Sequence, residues 1–118
     1  MRKLLLLSAI LVVVSAMPVS AAGPRKQAEA EVQFGIDVAQ KGLWKEALYR
    51  WEKAVQIDPR YAAAYNNLAV AYEHEGLFEK ARAAYAKALE LEPRNSSIKQ
   101  NFDYFKELND RANRRTGR

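Results

Sequence analysis

The chain has no cysteine and only one histidine, His74, among its 118 residues. Without cysteine it can form no disulfide, no thiolate zinc or iron–sulfur site and no thiol nucleophile. A single histidine also excludes a multi-histidine metal centre. We therefore expect neither a metal nor another cofactor.

Groups that could support catalysis are equally scarce. The five glycines never fall within four residues of one another, so there is no glycine-rich phosphate loop. His74 has Glu73 and Glu75 beside it, but side chains one residue apart on a helix do not face each other. General acid–base catalysis needs a positioned second group. We assign no catalytic residue and expect that the chain is not an enzyme.

What the chain does have is the composition of one globular domain. Hydrophobic residues make up 49% of it and charged residues 28%. That is too apolar for a disordered chain and too charged for a protein with several membrane spans. The length leaves room for one domain.

Residues 1–22 have the layout of a secretory signal. The basic start Arg2–Lys3 is followed by the apolar run Leu4–Val14 and by small residues that end at Ala22. The apolar run is shorter than the ~20 residues of a membrane-spanning helix. We expect cleavage after Ala21 or Ala22 and export to a bacterial periplasm or the exterior, with an uncleaved membrane anchor as the alternative.

Basic residues are concentrated at the C-terminal end. The stretch 109–118 contains four arginines and one acid, namely Arg111, Arg114, Arg115, Arg118 and Asp110. The overall charge of +5 could suit nucleic acid, but a nucleic-acid surface should cluster basic residues on a folded face, and export removes the usual partner. We therefore predict no nucleic-acid binding.

We expect residues 112–118 to form a flexible basic tail. Its arginines would interact with the dipole of the preceding helix. A weak contact with anionic lipid head groups is the alternative role.

The sequence repeats itself with a period of 34 residues. Ten positions match under that shift: Phe34 with Leu68, Gly35 with Ala69, Gly42 with Gly76, Leu43 with Leu77, Trp44 with Phe78, Ala47 with Ala81, Trp51 with Tyr85, Ala54 with Ala88, Ile57 with Leu91 and Pro59 with Pro93. Glycines suit left-handed helix ends, and the prolines force the residue before them out of the helical region. Alanines spaced by seven let neighbouring helices approach closely, and we expect the matched aromatic residues to fill the core.

The repeat resembles the tetratricopeptide repeat family, in which each unit is a pair of antiparallel helices. The second unit carries most of the family pattern, in Tyr65, Leu68, Ala69, Tyr72, Gly76, Phe78, Ala81, Tyr85, Ala88 and Pro93. The first unit departs from it at Glu31 and Val38. The resemblance implies an all-α fold, a short right-handed α-solenoid.

We predict five helices, with bounds Lys26–Lys41, Lys45–Ile57, Tyr61–Glu75, Phe78–Leu91 and Ser96 to about Arg111. The repeat domain spans 23–108, with units at about 28–61 and 62–95. Residues 96–111 form a capping helix with a stripe of apolar residues and a polar outer side.

The resemblance also implies a concave groove lined by the first helix of each pair. By helical spacing we place nine residues in this partner-binding groove: Val32, Ile36, Asn66, Asn67, Val70, His74, Gln100, Asn101 and Tyr104. Ala39 is a neighbouring candidate. The asparagines could bond a peptide backbone or could be a structural pair. The residue types do not support the carboxylate clamp of some family members.

These observations predict a non-catalytic protein–protein interaction module, an exported adaptor or scaffold that binds a peptide or helix of a partner protein. The alternative is a structural or accessory subunit packed permanently in a larger cell-envelope complex. Because three or more repeats are usual for a stable stack, association with a second copy of the chain is also open.

Overall fold

The computed structural model describes residues 23–117, so the predicted signal segment 1–22 and Arg118 lie outside the described residues. The described part consists of five α-helices without a strand: α1 (Pro24–Gln40), α2 (Trp44–Ile57), α3 (Ala62–His74), α4 (Phe78–Leu91) and α5 (Ser96–Thr116). The all-α prediction is confirmed, and four of the five helices begin and end within two residues of their predicted bounds.

The helices pack as a repeat stack. α1 packs against α2 and α3 against α4, while α2 contacts α3 and α4 contacts α5 across the junctions between units. The two helix pairs thus stack on each other and α5 covers the second pair, as in a helical repeat solenoid.

The turns within the two pairs have the same geometry. Gly42 and Gly76 adopt φ angles of +79° and +74°, which are strained for a residue with a Cβ. The next amide then reaches back into the helix: Leu43 N donates to Val38 O at 3.0 Å, and Leu77 N donates to Tyr72 O at 2.8 Å. These contacts end the first helix and reverse the chain, as the matched glycines predicted.

Small residues permit close helix packing in both units. The matched alanines of the second helices are completely buried: Ala47, Ala54, Ala81 and Ala88. Trp51 and Tyr85 fill the space beside them and are 3% and 1% exposed. The prediction that these aromatic residues belong to the core is confirmed.

The last helix begins as predicted but ends later. Asn95 caps it, because its side-chain oxygen accepts from Ile98 N at 3.1 Å. The helix continues to Thr116 and ends at Gly117 with a φ of +67°, five residues beyond the predicted end at Arg111. No glycine or proline interrupts this stretch, and arginine and alanine favour the helix. The mobility of these residues in solution stays a prediction.

The outer side of α5 is charged, as expected of a helix that closes the stack. Asp103 accepts from Lys99 Nζ at 2.6 Å and pairs with Lys106 Nζ at 3.1 Å. These two hydrogen bonds lower the pKa of the Asp103 carboxyl. Among the helices of residues 23–117, none combines the length and apolar character needed to cross a membrane.

An ion pair ties the start of α1 to the junction between the two units. Asp58 accepts from Arg25 Nε at 2.6 Å and from Arg60 N at 3.0 Å. The hydrogen bond from Arg25, followed by that from the Arg60 backbone, lowers the pKa of Asp58. Because the ionised form is favoured in the folded state, this stabilisation is complete above the ordinary aspartate pKa and is lost as the pH falls through the lowered one.

Replacing Asp58 with asparagine should therefore reduce the free energy of unfolding at neutral pH and cost little in acid. Arg25 is half exposed, so the neutral-pH loss should be at most about 1 kcal/mol. Urea titrations of both proteins at pH 7 and in the acid range measure the difference. An equal difference at both pH values would contradict the role given to the carboxylate.

Candidate functional site

The first helices of the two units and the capping helix lie side by side. α1 contacts α3, and α3 contacts α5. All nine predicted groove residues lie on these three helices, but the structure places them in different surroundings.

An open cavity of about 260 Å³ lies where α1, α2 and α3 meet. We call it the tryptophan cavity. It is lined by Ile36, Ala39, Gln40, Trp44, Trp51, Asn67 and Val70. None of these residues is charged, and all but the two side-chain amides are apolar. The cavity brings together Ile36, Asn67 and Val70 of the predicted groove.

Trp44 forms the wall between this cavity and the edge of the stack. Its ring stacks on His74 with centroids 4.2 Å apart and an interplanar angle of 14°. His74 is itself exposed. The histidine thus supports the indole that lines the cavity, although it does not line the cavity itself.

Trp51 forms the floor of the tryptophan cavity and sets how α2 packs against α1. Its Nε1 donates to Val32 O at 3.1 Å, and the ring lies over Gly35, where a Cβ would be 2.3 Å from Nε1. Val32 is only 6% exposed and belongs to the core. This corrects the prediction that Val32 lines a groove open to a ligand, because the indole draws this side of α1 into the core.

Two of the asparagines predicted to line the groove form a hydrogen bond with each other. Asn101 Nδ2 donates to Asn66 Oδ1 at 3.1 Å and thereby links α5 to α3. The Asn67 side chain forms no hydrogen bond with the other described residues, so its amide is available at the rim of the tryptophan cavity.

The remaining two candidates lie apart from the cavity. Gln100 and Tyr104 border a separate open surface on α5, together with Lys99, Asp103 and Glu107. Tyr104 is 63% exposed. The predicted groove is therefore divided into an apolar cavity at α1 and α3 and a polar, charged surface on α5.

Three lining residues, Gln40, Trp44 and Trp51, were absent from the predicted groove, and Trp51 belongs to the core as predicted. Trp44 was assigned to the core, but it is only partly buried. Its place two residues after Gly42 was a sequence signal that it lies at the edge of a turn, as does the matched Phe78, which is 48% exposed in the structure. Gln40 is the last residue of α1, and no sequence pattern distinguished it from its neighbours.

An ion-pair network around Glu31 joins α1 to α2. Glu31 pairs with Lys53 at 2.9 Å and with Arg50 at 3.4 Å. Burial raises the pKa of the Glu31 carboxyl, but the hydrogen bonds from Lys53 and Arg50 outweigh it, so the pKa is lowered. Glu31 thus helps to hold α1 and α2 together by charge. In residues 23–117, no three histidine, aspartate or glutamate side chains are grouped to hold a metal ion.

Comparison with known proteins gives two overlapping family matches. Residues 38–76 match the model described as TPR repeat, and residues 62–95 match the model described as tetratricopeptide repeat. No curated protein matches the chain. Tetratricopeptide repeats generally mediate protein–protein interaction, and proteins built from them are typically non-catalytic.

Proposed function

Because residues 38–95 carry tetratricopeptide repeats, we propose that the chain is an exported, non-catalytic adaptor that holds an apolar side chain of a partner protein in the tryptophan cavity. The observation that carries this proposal is the uncharged cavity between α1 and α3, with an aromatic wall and floor.

The size and chemistry of the cavity define the ligand. Its volume of about 260 Å³ is just below the ~300 Å³ at which sites for drug-sized ligands begin. It therefore suits one large apolar side chain better than a cofactor. Gln40 and Asn67 place amides at the rim, and each amide can both donate to and accept from a peptide backbone.

Intrinsic fluorescence offers a specific test of this site. Trp44 and Trp51 are the only tryptophans in the chain, and both line the cavity. Residues 23–118, which contain all five described helices, would first be used to select peptides from a random library displayed on phage. We expect the selected peptides to share one large apolar residue and to change the tryptophan emission on titration.

Matched variants decide whether the cavity is the binding site. Val70→Lys should fill the cavity with a charged side chain. It should weaken the affinity for the selected peptides at least tenfold, which is about 1.4 kcal/mol of binding free energy. Ala86→Lys introduces the same charge at an exposed position of α4 and should leave binding unchanged. Gln40→Ala, which leaves the core intact, should weaken binding in the same direction. Equal affinity for all four proteins would refute the site.

Export is the second part of the proposal. It is supported by the order of basic, apolar and small residues in 1–22. Mass spectrometry of the native protein should find an N-terminus at Ala22 or Gly23. Recovery of intact Met1 in a membrane fraction would favour the anchored alternative.

A permanent subunit of a larger envelope complex is the second candidate function. It is favoured by Leu77, Phe78 and Leu108, which remain 41% to 48% exposed at one edge of the stack. In that case the native protein should be recovered in a stable complex that withstands Val70→Lys and is broken by Leu77→Ser with Phe78→Ser.

A further inference from the structure

The C-terminal part of α5 extends beyond the packed stack. α5 has 21 residues, whereas α3 and α4 have 13 and 14. Every residue from Asp110 to Gly117 is exposed. The last two turns of the helix therefore project into solvent and can touch a surface that the stack itself does not reach.

The arginines of this projection lie on one helical face. Arg111, Arg114 and Arg115 follow the spacing i, i+3 and i+4, which places them side by side. Glu107 shares that face and pairs with Arg111. Arg114 and Arg115 form no ion pair with the residues that the structure describes. The face therefore keeps two unpaired positive charges.

Exposed apolar groups continue the same face toward the stack. Tyr104 and Leu108 precede Arg111 by seven and three residues and are 63% and 45% exposed. We call these five residues the arginine face: Tyr104, Leu108, Arg111, Arg114 and Arg115. Charge beside apolar surface is the arrangement of helices that lie on membrane interfaces.

We propose that the arginine face binds the surface of a membrane that contains anionic phospholipids. Favourable Coulomb interaction with the lipid phosphates would hold the arginines, while Tyr104 and Leu108 would contact the boundary between head groups and acyl chains. This binding is independent of the tryptophan cavity, which lies between α1 and α3.

The shape of the surface favours a membrane over an acidic peptide. The arginine face is a convex strip on a single helix. The cavity beside the projection includes Leu108 of this face, but its other α5 lining residues, among them Asn109, Ala112 and Asn113, lie outside the face, and no arginine lines it. A peptide would find no wall against which to order its chain beside the arginines, whereas a flat anionic surface needs none.

Vesicle sedimentation tests the proposal with residues 23–118, which leave out the apolar segment 1–22. The protein should bind vesicles of equal parts phosphatidylglycerol and phosphatidylcholine at low salt. It should not bind pure phosphatidylcholine and should be released at high salt. Arg114→Gln with Arg115→Gln should weaken binding about 30-fold.

Charge-matched and apolar-matched controls separate the face from net charge. Lys26→Gln with Arg94→Gln removes two exposed basic residues elsewhere and should change binding far less. Leu108→Ser should weaken binding, whereas Leu77→Ser, at a similarly exposed leucine, should not. Circular dichroism checks that every variant keeps its helix content.

Two results would overturn the proposal. One is an equal loss of vesicle binding in the two double variants, which would show only a response to net charge. The other is binding to soluble polyglutamate that depends on Arg114 and Arg115 without any binding to anionic vesicles, which would make an acidic polypeptide the partner.

Discussion

Replacing Tyr85 with alanine should cost about 3–5 kcal/mol of unfolding free energy, the range for removing a large aromatic side chain from a core. Tyr85 is 1% exposed, and its ring centroid lies 5.5 Å from those of both Phe102 and Phe105. Its ring therefore packs α4 directly against α5. The variant should lose the capping helix first and then the second unit.

The hydroxyl of Tyr85 contributes to the stability of the fold separately from the ring. Its hydroxyl donates to Glu73 Oε2 at 2.6 Å, and burial, followed by this bond, raises the pKa of the phenol. Tyr85→Phe keeps the ring and should cost only about 1 kcal/mol. Tyr49→Ala, at a tyrosine that is 54% exposed, should cost within about 0.5 kcal/mol. Urea denaturation monitored by circular dichroism measures the unfolding free energy of Tyr85→Ala, Tyr85→Phe and Tyr49→Ala. Similar losses of unfolding free energy in the three variants would contradict this account of the core.

Replacing Gly35 with alanine should cost about 3 kcal/mol, although it adds a single methyl group. The new Cβ would lie 2.3 Å from Trp51 Nε1. The indole must move, and it then loses its hydrogen bond to Val32 O. Denaturation of the variant should show the loss, and the emission of Trp51 should shift as the ring becomes more exposed.

A double variant tests whether the clash is the cause. The second unit has Ala69 and Tyr85 at the positions of Gly35 and Trp51, so alanine is tolerated there beside a smaller ring. Gly35→Ala combined with Trp51→Tyr should therefore be more stable than the sum of the single effects allows. Strict additivity would show that the two residues do not interact.

The period of 34 residues by itself determined the helices, their order and the turns that join them. Gly42 and Gly76 end helices because of their own backbone freedom, and Asn95 caps α5 through a contact three residues away. Such features depend on local interactions, which a sequence pattern contains. The extension of α5 to Thr116 also has a local cause, since arginine and alanine favour a helix. The prediction ended the helix earlier because the basic composition of this stretch suggested a flexible tail.

Only the tertiary structure decided which side chains of α1 face the tryptophan cavity. Helical spacing placed Val32 and Ile36 on one face, yet Val32 is buried and Ile36 lines the tryptophan cavity. The difference arises because the Trp51 ring fits over Gly35 and thereby fixes how α2 lies on α1. The angle between two packed helices depends on the size of the side chains at their contact. The sequence named those side chains, but the contact between them exists only in the folded chain.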